Sequence, residues 1–199
     1  TEIYTLSLHD ALPISKAGAK AVTVGHTSDD LAETVMLHIL RGSGLYGLRG
    51  MGEVSDWPWP IDTGGLKLFR PFLDITKEQT AEYCREIGRT YRKDSGNYMW
   101  RFTRNRLRQD LMPKLEQDYN PQVRSALVRL ARTAAEDLDF VEGELDKVWQ
   151  GVAVGSRGKV QFSRAALREL HPLLQRLALR RGYILVTGDS TRLRESHMV

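Results

Sequence analysis

The sequence predicts an α/β domain built on a parallel sheet, followed by an all-helical second domain, and three features carry that prediction. Ala19 to Gly25 (AKAVTVG) is a short apolar, β-branched run closed by glycine, which suits a buried parallel strand. A helical pattern follows at once, with Leu31, Val35 and Ile39 every four residues, so the two together read as one strand-helix unit. Much later, Val123, Leu127, Leu130, Ala134, Leu138, Val141, Leu145 and Val148 recur at gaps of four and three. That spacing predicts a helix of about 29 residues, roughly 44 Å long. A rod of that length does not belong inside a compact sheet layer and is read as opening the second domain. A coiled-coil arm is the alternative for it, which leaves a homodimer open.

The elements follow in order. The first fourteen residues, TEIYTLSLHDALPI, have no initiating Met and no basic leader region. Back-translated in one frame they resemble a sequencing-library adapter, so 1–15 are expected to be an artefactual translation. The first domain is then expected over 16–118 and the second, cut short, over 119–199. Ser28 is expected to cap the first helix with Asp29 and Asp30 in its opening turn, and the Arg41-Gly42-Ser43-Gly44 breaker ends it. Residues 45–65, rich in Gly, Trp and Pro, read as a long surface loop. Leu66 to Leu73 reads as extended but interrupted by Pro71, so at most an edge strand. Thr76 and Gln79 have capping-box spacing ahead of a helix that Gly88 closes. Thr103 to Gln117 reads as a helix that Pro113 must kink or split. Asn120-Pro121 starts the long helix, and a Gly-rich hairpin near 151–162 precedes helices after Ser163 and Pro172. The final GDSTRLRESHMV reads as a helix that stops without a capping signal.

Composition narrows the function. Of 199 residues 41% are hydrophobic and 27% charged, an ordinary globular balance. The apolar runs are far short of the roughly 20 residues that span a bilayer. The one cysteine, Cys84, can form neither an internal disulfide nor a CxxC metal site, so a reducing, cytoplasmic setting is expected. The net charge of +4 is unevenly spread: Arg85, Arg89, Arg92, Lys93, Arg101, Arg104, Arg106 and Arg108 face only Glu86 and Asp94. Tyr91, Tyr98, Trp100 and Phe102 interleave with these cations. Phosphate attraction plus aromatic stacking suits an RNA surface; a solvated helix face with core aromatics is the plainer reading.

The densest group of chemically useful residues is Gly25-His26-Thr27-Ser28-Asp29-Asp30-Leu31-Ala32-Glu33-Thr34, at the strand's C-terminal end, where open α/β sheets bind ligands. Asp30 and Glu33, three apart, share a helical face. Two carboxylates so placed repel and suit a cation, either a metal ion or the amino group of a substrate; dipole-capping acids beside a structural histidine are the plainer reading. His26 is close enough in sequence to join them.

These residues carry a resemblance. GHTSDDLAET, then Ile39-Leu40-Arg41-Gly42-Ser43-Gly44 and Gly47-Leu48-Arg49-Gly50-Met51, resemble the tRNA(Ile)-lysidine synthases of the PP-loop ATP-pyrophosphatase superfamily. Arg70-Pro71-Phe72-Leu73-Asp74, Tyr83-Cys84, Asp94-Ser95-x-Asn97 and Arg104-Asn105-x-x-Arg108 through Pro113 fall in the family's order. The likeness is strong from about Lys16 to Asn120 and weak beyond. It implies a partial PP-loop (adenine nucleotide α-hydrolase-like) domain followed by a helical tRNA-binding domain. It implies ATP, with Mg2+, activating C2 of the wobble cytidine in tRNA(Ile) through an adenylated intermediate. The side-chain amine of free lysine then displaces AMP to give lysidine. Asp30, Glu33 and Arg104 are the implied catalytic residues, and His26, Asp29, Arg70, Asn105 and Arg108 are implied to bind substrate, with the anticodon stem-loop and lysine as partners. One departure matters: the superfamily's SGGxDS-type phosphate loop is absent from the 199 residues, so this chain alone is expected to be inactive. A tRNA thiolase of the same superfamily is the nearest rival, opposed by the lone cysteine. A non-catalytic RNA-binding module is the other.

Overall fold

Three short strands form the sheet: β1 (Ala21–Thr23), β2 (Val54–Asp56) and β3 (Lys67–Phe69). They belong to a computed structural model that describes residues 19–57, 65–90, 103–156 and 158–188. The adapter-like opening, the end from residue 189, and the Tyr91-to-Phe102 part of the basic segment, including Asp94-Ser95-x-Asn97, lie outside the described residues. The strand order is β1-β3-β2. Strand β1 runs parallel to β3, with Val22 opposite Leu68, while β2 runs antiparallel, with Ser55 opposite Leu68. The sheet is therefore mixed rather than wholly parallel.

The expectation that Leu66 to Leu73 supplies at most an edge strand is corrected, because β3 is the central strand. Pro71 lies beyond Phe69, so the N–H that proline lacks is never required by the ladder. The supposed surface loop is also partly structured: it holds a short helix, α2 (Leu45–Leu48), and β2. Trp57, 8% exposed, packs with Leu66, Leu68, Val22 and Val24 under the sheet.

The chain divides into two compact units. The first holds the described residues up to His38 together with Gly50–Ala131. Its main helix, α1 (Ser28–Leu40), leaves the C-terminal end of β1 and packs Leu31, Ala32 and Val35 against Leu73, Leu107, Met112, Leu127 and Val128. Each of these leucines and valines contributes about 1.5–3 kcal/mol by leaving water. The cap differs from expectation: Thr27, not Ser28, precedes the first helical residue, and the Ser28 hydroxyl instead donates to the Ile75 carbonyl at 3.2 Å. Gly50 closes this core from the other side. Its φ of +62° and its position, where a Cβ would come 2.5 Å from Leu31 Cδ1, leave room for glycine alone.

Helix α3 (Lys77–Glu86) begins as predicted, with Thr76 and Gln79 forming a reciprocal capping box. The predicted helix around Pro113 is resolved into α4 (Thr103–Arg106), a wide π-helical turn at Leu107–Leu111, and α5 (Met112–Asp118). The Met112 N–H reaches back five residues to the Leu107 carbonyl. Proline cannot donate to the carbonyl four residues back and its ring crowds it; a turn with one residue extra relieves both problems just ahead of Pro113. The long helix, α6 (Val123–Val152), runs 30 residues from an Asn120 turn in which Asn120 Oδ1 accepts from the Gln122 N–H at 2.9 Å.

The second unit holds Ile39–Arg49 and the described residues from Arg132 onward. It contains a hairpin of β4 (Ala153–Ser156) and β5 (Lys159–Phe162), then α7 (Arg164–Glu169), capped by Ser163, and α8 (Pro172–Thr187), with proline at its first position. The predicted hairpin and both helices are present, so this region is helical apart from one two-stranded ribbon. Leu145, Val152, Leu177 and Ala178 form its core, with Phe162 lying where a Cβ on Gly182 would sit, 2.5 Å from its Cζ.

Candidate functional site

The site grows from the first two turns of α1. Asp30, the third residue of the helix, turns its Oδ2 back to accept from the Thr27 N–H and the Thr27 hydroxyl, both at 3.0 Å. This satisfies an orphan donor at the helix start. Its other oxygen, Oδ1, is left for the cluster. Glu33 lies one turn on, beside Asp30, and is 0% exposed. A carboxylate with no contact with water must be matched by cations and hydrogen bonds.

Four cations from four different segments supply that match. Arg108, from the π-helical turn, forks onto Glu33: Nε to Oε1 at 2.7 Å and Nη2 to Oε2 at 2.7 Å, with Nη2 also 2.8 Å from Asp30 Oδ1. Arg104, one turn earlier, lies farther off, with Nη2 at 3.2 Å from Asp30 Oδ1 and Nε at 3.4 Å from Glu33 Oε2. Lys77, the first residue of α3, places Nζ 3.1 Å from Asp30 Oδ1 and 3.3 Å from Glu33 Oε1. Its own backbone N–H donates to Asp29 Oδ2 at 2.8 Å. Arg124, from α6, joins Asp29 at 3.3 Å and is held by Glu116 at 2.6 Å.

Burial raises the pKa of Asp30, but the Thr27 N–H and the Lys77 charge outweigh it and leave the carboxyl below its ordinary value. Asp30 is thus a holder of positive charge rather than a proton acceptor at neutral pH. The Glu33 hydrogen bond pushes the Arg108 guanidinium up against the opposing effect of burial. His26 moves the other way. Burial lowers it, Asp30 draws it up, and Arg70, Arg104 and Lys77 depress it further, so the net shift is downward and the imidazole is neutral near pH 7. Its Nδ1 is buried with no hydrogen-bond partner among the described residues. A neutral ring with a buried nitrogen that has no partner among the described residues offers a hydrogen-bonding position, while the lowered pKa makes it a weak proton acceptor.

The structure brings together Asp29, Asp30, Glu33, Arg104 and Arg108. Asn105 sits half-buried beside Arg104 in α4. Arg70 is placed differently: 7% exposed at the end of β3, it donates through Nη1 to the Gly52 carbonyl at 2.8 Å and the Ser55 hydroxyl at 3.0 Å. Burial lowers its pKa, and its buried Nε has no partner among the described residues. Lys77 and Arg124 escaped the sequence reading. The signal for Lys77 was present, since a capping box at Thr76 fixes the first residue of the next helix; nothing local marked Arg124. The cation that the acidic pair calls for is supplied here by the chain's own side chains. Among the described residues no group of three or more His, Cys, Asp or Glu could hold a metal ion, and no helix is long and apolar enough to cross a membrane.

The second unit has a cavity of about 220 Å³ lined by Leu45, Tyr46, Leu138, Leu173, Arg176 and Leu177. The guanidinium of Arg180 lies 4.0 Å from the Tyr46 ring centre, and that of Arg49 lies 5.4 Å from it.

The sequence has relatives among known proteins. A family model described as a PP-loop domain matches residues 11–115. A tRNA(Ile)-lysidine synthase of Dehalococcoides mccartyi (strain CBDB1) is 34% identical over 181 residues, covering 91% of this chain and 38% of that protein. Its counterpart in Mycobacterium tuberculosis (strain CDC 1551 / Oshkosh) is 38% identical over 168 residues, covering 84% of this chain and 48% of that protein. The chain thus spans less than half the length of these curated relatives. Among solved structures, the U34-tRNA thiolase NcsA from Methanococcus maripaludis is 18% identical over 63% of this chain and 40% of its own, with a TM-score of 0.46.

Proposed function

The chain belongs to the PP-loop domain family, and from that premise we propose that it forms the amine- and tRNA-binding part of a tRNA(Ile)-lysidine synthase. The observation that supports this reading best is the buried Asp30/Glu33 pair facing Arg104 and Arg108 within one hydrogen-bonded cluster. In it Asp30 and Glu33 hold the ammonium of lysine, and Asp30, with its lowered pKa, stays charged to do so. The amine must lose a proton before it can attack a carbon; His26, neutral and with its pKa held below the ordinary value by burial and neighbouring cations, serves to bind the substrate rather than to take that proton. Arg104, the more loosely held guanidinium, is free to stabilise negative charge on a phosphate. Asn105 and the basic segment serve the RNA, whereas buried Arg70 ties the end of β3 to Gly52 and Ser55.

ATP is the cofactor that family membership implies, and what it supplies is activation of the carbon that the amine attacks. The residues of this chain do not fit its triphosphate. There is no SGGxDS run, whose backbone N–H groups would cradle the phosphates. The 199 residues alone are therefore proposed to be inactive.

The test is a chimera with an SGGxDS-bearing segment placed ahead of Lys16. Incubated with tRNA(Ile), ATP and labelled lysine, it is expected to put label into tRNA, and Asp30→Ala is expected to abolish transfer while tRNA is still retained. Retention of tRNA without incorporation by the parent chimera would replace the enzyme reading with that of an RNA-binding module.

A further inference from the structure

We propose that Lys77 is an internal stand-in for substrate lysine, its ammonium occupying the seat between Asp30 and Glu33 that an incoming amine must take. This rests on the reading of that pair as an amine pocket. The Lys77 Nζ makes 3.1 and 3.3 Å contacts with one oxygen of each carboxylate. A lysine side chain offers the same donors, charge and four-carbon stem as the free amino acid. Arg108 is locked by three contacts of 2.7 to 2.8 Å on the same two residues, so it is not the cation that yields.

Lys77 has what a displaceable occupant needs. Its side chain is 42% exposed, against 0% for Glu33, so it can swing into water without opening the core. Its main chain meanwhile stays in place, because the backbone N–H is held by Asp29 and helix α3 is fixed by the Thr76 capping box. A cation added beside Lys77, Arg104 and Arg108 would meet three like charges around two carboxylates, so entry of an amine requires one to leave. Tethered next to the pocket, Lys77 competes as an intramolecular ligand. It keeps the buried carboxylates matched when no substrate is present and weakens the apparent affinity for lysine.

Titration of L-lysine into the 199-residue chain by calorimetry, wild type against Lys77→Met, tests this. The variant is expected to bind lysine at least about tenfold more tightly, while norleucine, which lacks the side-chain amine, binds both proteins alike. Equal lysine affinities would overturn the proposal and leave the amine pocket standing. No lysine binding by either protein would remove the pocket reading and the proposal with it. A second measurement needs no variant: in wild-type protein carrying 13C-dimethylated lysines, the Lys77 signal is expected to move to a solvent-like position on adding lysine and not on adding norleucine. A signal indifferent to lysine would count against the displacement.

Discussion

Glu33 has no solvent to fall back on, and its partners are all charged, so its removal is felt in stability before it is felt in chemistry. Breaking a buried pair on one side leaves the other charge unmatched, at a cost of about 3 kcal/mol. Glu33→Gln is expected to lower the unfolding free energy by that amount, read as a lower urea midpoint at unchanged slope, since the Arg108 fork loses one of its two acceptor oxygens and the opposing charge. His26 contributes a pH dependence. Its folded pKa lies below the ordinary 6.5, so as pH falls the unfolded chain takes up the proton first. Stability is then expected to decline as pH drops below about 6.5 and to level off beneath the folded value. His26→Gln should flatten that slope in denaturation curves measured between about pH 5 and pH 8. These single-residue features were partly legible in the sequence: the three-residue spacing put Asp30 and Glu33 on one face, but spacing within a helix says nothing about which distant cations arrive. Arg124, ninety-one positions beyond Glu33 in the chain, could be joined to it only by the tertiary fold.

The elements themselves were easiest to read where local chemistry decides. The Thr76–Gln79 capping box, the Asn120 start of the long helix and the Pro172 start of α8 were all visible because each satisfies donors with side chains a few residues away. The strands were harder. Pro71 suggested an edge position for the segment that became central β3, because the sequence does not say on which residue pairing stops. The cap at Thr27 was misplaced by one residue, since Ser28 has the same chemistry and only the neighbouring Ile75 carbonyl draws it away. Thr76→Ala is expected to cost about 1 kcal/mol, read as a lower thermal midpoint. It should also loosen Lys77, seen as faster amide exchange at the first turn of α3.

At the scale of the whole molecule, composition foretold a positively biased chain of ordinary globular character, and the pattern of elements foretold sheet first and helices after. The division into two compact units was less legible, because Ile39–Arg49 joins a unit whose remaining residues begin at Arg132. For function, the charge distribution matters more than the total. With arginines concentrated from 85 to 108, binding of tRNA to the 199-residue chain is expected to weaken steeply with salt, and the logarithmic slope should become shallower by about one for each phosphate-contacting arginine changed to alanine. Filter retention across a range of potassium chloride concentrations would measure it.

The π-helical turn at Leu107–Leu111 sets the phase of this arrangement. It holds one residue more than a regular helix would, carries Arg108 within it, and joins Arg104 to the proline-led segment that follows. Deleting Gln109 would bring back the crowding of Pro113 against a regular helix and would rotate everything upstream by about 100° relative to α5. Arg104 and Arg108 would then be carried off Asp30 and Glu33 together. The surplus residue acts as a keyway that sets which way Arg104 and Arg108 face.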